Sequence, residues 1–142
     1  MKKIFKTFLT VAAFAAVAGV SSCTKVCDEG YEGDKCDVAI REKFIGQWQG
    51  QESCTVGSDS YTLTIAASGS DILKITLNNV YNQTFTATAT VDGTTFNVAN
   101  QNVGGTVNVQ GNGSVSGSNI SFQYTINDGT TSNTCTFTGT EL

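Results

Sequence analysis

The sequence predicts an all-β domain, an eight-stranded antiparallel up-and-down barrel, with a β-sandwich as the alternative. Three observations point there. Apolar residues alternate with polar ones at a period of two from Trp48 to the end of the chain, with Thr repeatedly on the polar phase. Clusters of Gly, Asn, Asp and Ser interrupt the alternation at short intervals. Asp92-Gly93 is the strongest hairpin signal among these clusters.

The elements follow in order from the N-terminus. Lys2, Lys3 and Lys6 precede an apolar run from Phe8 to Val20 in which Thr10 is the one polar residue. That run is too short to span a bilayer and suits the apolar region of a signal peptide, predicted here over 1–22. Val20-Ser21-Ser22-Cys23 follows. This aliphatic–small–small–Cys order resembles the lipobox of bacterial lipoproteins. The resemblance implies diacylglyceryl transfer to Cys23, cleavage before it, and a chain held to the membrane by its acyl groups. Cleavage there leaves five cations against twelve carboxylates, a net charge of −7. So acidic a chain is not drawn to an anionic membrane by charge, nor to nucleic acid.

Residues 23–37 read as an anchored spacer. Cys27-Asp28-Glu29-Gly30-Tyr31-Glu32-Gly33-Asp34-Lys35-Cys36 has the spacing C-x-x-G-Y-x-G-x-x-C. It resembles the last loop of an EGF-like module, with Gly30 and Gly33 at the family's tight turns. The resemblance covers ten residues, and Lys25 stands where the motif would carry a further Cys. The stub's carboxylates lack EF-hand spacing and read as a solvated spacer; no metal site is expected. The acidic pair Asp28-Glu29 downstream of Cys23 resembles surface-export signals of some Gram-negative anaerobes. With the lipobox, it implies a cell-envelope, outer-membrane location with surface display.

Five cysteines are present, and lipidation of Cys23 leaves four. Four cysteines allow three connectivities. The short loop favours Cys27 with Cys36. Cys54 ends the first strand and Cys135 lies in the last, so closure of a barrel would bring those two together.

The barrel domain is predicted over 38–142. Asp37 is placed to cap a short helix through Lys43. The strands follow around Trp48–Cys54, Tyr61–Ile65, Leu73–Leu77, Phe85–Val91, Phe96–Val98, Val107–Val109 with Val115 as its candidate extension, Ile120–Ile126 and Cys135–Phe137. Asn78-Asn79, Asp92-Gly93, Gly104-Gly105 and Asn127-Asp128-Gly129 are among the turn signals between them. A meander of eight strands loses its edges by closing. Phe44-Ile45-Gly46-Gln47-Trp48 resembles the opening F-x-G-x-W motif of the lipocalin and wider calycin barrels. The resemblance implies a helix closing one end with Trp48 at the floor. The family's basic residue near the last strand is missing from Gly139-Thr140-Glu141-Leu142.

Chemistry is sparse. There is no His, and the thiols are expected to be paired, so nucleophilic catalysis finds no support. Glu52, Asp59, Asp71, Asp92, Asp128 and Glu141 read as carboxylates mostly in separate turns, not as an acid–base pair. No phosphate-cradling or zinc motif appears, so neither enzyme nor cofactor is expected. In a meander, alternate loops share one end. That rim would carry Asn78, Asn79, Tyr81, Asn82, Asn100, Asn102, Asn127 and Asp128, with Asp59, Gln101 and Asn133 beside them. Amides and an aromatic can hydrogen-bond and stack on a sugar, and turns also favour Asn. The expected function is a membrane-anchored binding module whose partner is an extracellular glycan or protein. The alternative is an inhibitor of a lytic enzyme such as a protease or lysozyme, since small disulfide-bearing eight-stranded barrels on lipoproteins include such inhibitors.

Overall fold

The computed structural model describes residues 25–142. Cys23 and the signal segment lie outside the described residues. Eight strands close into an antiparallel barrel: β3 (Gly46–Cys54), β4 (Ser58–Ala67), β5 (Lys74–Val80), β6 (Phe85–Asp92), β7 (Thr95–Gly104), β8 (Val107–Ser116), β9 (Asn119–Asn127) and β10 (Ser132–Glu141). Each strand pairs with its sequence neighbours, and β10 pairs with β3 to close the ring. The sandwich alternative is excluded by that closure.

Ahead of the barrel, a two-stranded hairpin joins β1 (Tyr31–Glu32) to β2 (Val38–Ala39), fastened by a Cys27–Cys36 disulfide. Gly30 and Gly33 take φ of +87° and +89°, where a side chain would be strained. The hairpin is seated on the barrel. Ile40 N–H donates to the Gly30 carbonyl at 2.8 Å, Lys43 Nζ meets Glu32 Oε2 at 2.7 Å, and Gly30 lies against Ile72 and Leu73.

The helix expected from Asp37 to Lys43 is not formed. Val38 and Ala39 are consumed by pairing with β1, which leaves a single 3-10 turn over Ile40–Lys43. Ala39 occupies its N-cap without a side-chain bond. Phe44 then drops into the core, its carbonyl accepting from Trp48 Nε1 at 2.9 Å, and Trp48 is fully buried at this closed end.

The interior is filled. Inward residues of every strand form one core, from Leu63, Ile65, Ile75 and Leu77 across to Ile120, Phe122 and Phe137. An aromatic column rises through it: Phe44 meets Phe96 edge-on at 5.8 Å, Phe96 meets Phe122 at 5.4 Å, and Phe122 stacks on Tyr124 at 4.6 Å. Glycines make room for these rings. A Cβ on Gly111 would lie 2.6 Å from the Tyr124 Cβ, and one on Gly113 would press into the Phe96 ring. Gly50 and Gly139 stand opposite each other across β3 and β10, beneath the Phe137 ring.

The candidate functional site at the open rim

The turns after β3, β5, β7 and β9 share the end of the barrel away from the hairpin, as the meander requires. The side chains there sit differently from the expectation. Asn78 and Asn79 belong to β5, Asn100 and Asn102 to β7, and Asn127 to the end of β9. The turn signal at Asn78-Asn79 is in fact a bulge, with Asn79 at φ +69°, and the chain reverses later, over Tyr81–Thr84.

Most of the rim amides are engaged. Asn79 Nδ2 donates to the Thr62 carbonyl at 2.9 Å, where the β4–β5 ladder has already ended at the Thr64–Asn78 pair. Asn82 Nδ2 reaches Asp59 Oδ2 at 2.6 Å across the mouth. Asn102 Nδ2 closes the β7–β8 turn on the Gly105 carbonyl, and Asn127 Oδ1 accepts from Gly129 N–H. Asp128 accepts from the N–H groups of Thr130 and Thr131 and from the Thr131 hydroxyl. Those bonds, Thr131's backbone first, hold the Asp128 carboxyl below the usual aspartate value. Asn100 faces a shallow uncharged depression on the outer wall with Asn97, Gln110, Asn112 and Gln123.

Tyr81 is not the exposed stacking face the sequence suggested. It packs against the core, and its hydroxyl accepts from Asn133 Nδ2 at 3.0 Å. Its φ of +60° is strained for a bulky residue, at a cost of about 1–3 kcal/mol that the surrounding contacts must offset. Tyr81 therefore plugs the mouth. Clefts of about 220 and 240 Å³ lie beside it, and Tyr81 and Gln83 line both.

Beneath the plug lies a group that sequence reasoning missed. Glu52 is 3% exposed, and its Oε1 accepts from Tyr61 Oη at 2.7 Å and from Tyr124 Oη. Both phenols are pushed well above the usual tyrosine value. Burial is the main cause for each. For Tyr61 the hydrogen bond to Glu52 comes next; for Tyr124 the neighbouring Tyr61 does, followed by Glu52. The signal was available: Glu52 occupies the same alternation phase as Trp48, Gly50 and Cys54, all directed inward. An acid in the inward phase, in a barrel with two inward tyrosines, needs buried donors, and these are the ones present.

Cys54 and Cys135 are joined, as barrel closure predicted. Glu52, Cys54 and Cys135 converge closely enough to suggest a metal centre, but disulfide sulfurs offer no thiolate, so they do not make one. Comparison with models of protein families, with curated proteins and with solved structures finds no match.

Proposed function

We propose that this chain is a cell-envelope lipoprotein, anchored through Cys23, whose barrel presents its open rim to an extracellular protein or glycan. One observation carries the reading: the barrel's two ends differ. The hairpin that follows the lipobox motif is seated at the closed end, beside the 3-10 turn. The clefts around Tyr81 lie at the opposite end. A packed interior leaves no lipocalin-like cavity, so recognition falls to the surface. The proposed role is binding, not catalysis.

A second reading has its own support. The β3–β4 turn exposes Val56, 76% accessible, on a braced backbone. Val56 N–H donates to Asn133 Oδ1 at 3.1 Å, Thr55 N–H donates to the Thr134 carbonyl at 2.9 Å, and the Cys54–Cys135 bond is adjacent. A preorganised protruding turn loses little entropy on binding, which suits insertion into the cleft of a lytic enzyme.

Membrane-extracted protein, analysed by intact mass, should begin at an acylated Cys23. The same preparation, offered to a glycan array and to secreted proteases and lysozymes, should retain one class of partner. An unacylated mature form from wild-type cells would overturn the anchor. Turnover of a substrate would overturn the binding role.

A further inference from the structure

Glu52 carries a buried carboxyl group, and among the described residues no cation pairs with it. Both phenols donate to Oε1, and among the described residues no donor reaches Oε2. The residue lines the cleft of about 220 Å³ together with Val56, Asp59 and Tyr81. Asp59 stands directly opposite Glu52 in the β3–β4 ladder and is exposed where Glu52 is buried.

The cations are elsewhere. The five in the described residues are Lys25 and Lys35 in the hairpin region, Arg41 and Lys43 in the 3-10 turn, and Lys74 at the first residue of β5. All lie toward the closed end, and so do both ion pairs. The rim holds Glu52, Asp59 and Asp128 with no cation among them. A carboxylate taken out of water is costly unless a positive group meets it.

We propose that this cleft is a subsite for a primary ammonium group, filled by a lysine side chain that a protein partner presents at the rim. The inference rests on the rim reading above and names the chemistry of its partner. The cleft lining includes Val56, Tyr81 and Cys54, apolar residues against which a four-carbon stem can lie. Its lining also supplies Glu52, whose Oε2 accepts no bond among the described residues, for the head, with Asp59 beside it. A guanidinium fork matches a carboxylate with both oxygens open. Glu52 has one already occupied, which favours the compact ammonium. A divalent cation would require more oxygen ligands than this lining presents.

The test uses the full chain, purified in detergent and labelled with ¹³C at its carboxyl carbons. The probe is Nα-acetyl-lysine methylamide, with Nα-acetyl-norleucine methylamide as the uncharged control. The expected result is a saturable shift of the Glu52 and Asp59 carboxyl resonances with the lysine probe alone. Glu52→Gln keeps an oxygen for both phenols while removing the charge, and should weaken the probe by about tenfold or more. Asp59→Asn, at an exposed position, should weaken it less.

Absence of a saturable Glu52 shift in the wild-type protein overturns the subsite whether or not the variants fold. Equal response to the norleucine probe also overturns it. The Glu52→Gln protein is then offered to whichever partner the rim captures. Loss of a protein partner supports the lysine assignment. Undiminished capture overturns the subsite and leaves the rim reading standing. Capture of a glycan or of free amines alone overturns the lysine source.

Discussion

Cys54 and Cys135 face each other directly across the β3–β10 ladder, and their disulfide joins the first strand of the barrel to the last. The bond spans 81 residues of sequence and locks the one barrel seam that does not join sequence neighbours. The chain-entropy estimate for a loop of this size is about 4.5 kcal/mol. Cys54→Ala/Cys135→Ala should therefore lower the denaturation midpoint by an amount equivalent to about 4 kcal/mol, read by chemical unfolding. A loss below about 1 kcal/mol would show that the ladder alone holds the seam.

Stability should fall at alkaline pH. Tyr61 and Tyr124 ionise in the folded barrel well above the value of a free phenol, about 10. Their folded values are raised, so their contribution is fully present below about pH 10 and is lost as pH rises beyond it, where the unfolded chain gives up protons that the folded one keeps. Absorbance at 295 nm should show these two tyrosines ionising only as the barrel unfolds. Reversible early titration of all four tyrosines in the folded protein would refute the buried cluster.

Removing the acceptor should be worse than neutralising it. Glu52→Ala strands two buried hydroxyls and should cost about 2–4 kcal/mol, whereas Glu52→Gln should cost markedly less. Thermal melts of the two variants decide the matter, and equal losses would mean the carboxyl group is not the organising acceptor.

Gly113 is a packing requirement. An alanine Cβ there would press into the Phe96 ring and lie 2.6 Å from the Ser121 carbonyl oxygen. Gly113→Ala should destabilise by about 1–3 kcal/mol. Gly117→Ala, at a turn glycine with open space around it, removes no packing and serves as the contrast. Its φ of +55° confines its penalty to backbone strain. Near-neutral behaviour of Gly113→Ala would show that β8 can shift outward without loss.

Tyr81→Ala should lower stability by about 2 kcal/mol, because the ring packs on the core and its hydroxyl meets Asn133. A melting temperature within error of wild type would restore Tyr81 as a freely exposed contact residue.

Legibility followed periodicity. All eight barrel strands were readable because Leu, Ile, Val and Phe occupy the inward phase and Thr the outward one, a pattern a one-residue slip would invert. Both disulfides were readable because one loop is short and the other pair meets only on closure. β7 was read as a short run at Phe96–Val98 because a bulge at Ala99–Asn100 flips the phase: Phe96 and Val98 face inward before it, Gln101 and Val103 after it. The helix failed for a tertiary reason, since Val38 and Ala39 had a strand partner six to eight residues away that local capping rules do not see. Glu52 escaped because its chemistry depends on Tyr61 and Tyr124, which only the closed ring brings to it.

Gln101 stands in for a length of backbone. The β6–β7 ladder ends at the Thr90–Asn97 pair, and above it the Gln101 amide accepts from Thr88 N–H at 2.9 Å and donates to the Thr88 carbonyl at 2.7 Å. The hoop thus has a covalent rivet on one side and a single removable stitch near the other. Under mechanical or thermal load, cracks propagate from the weakest joint, so the β5–β6 arm, with Tyr81 at its tip, should peel outward first. The barrel's most openable flap is then also the wall of its clefts.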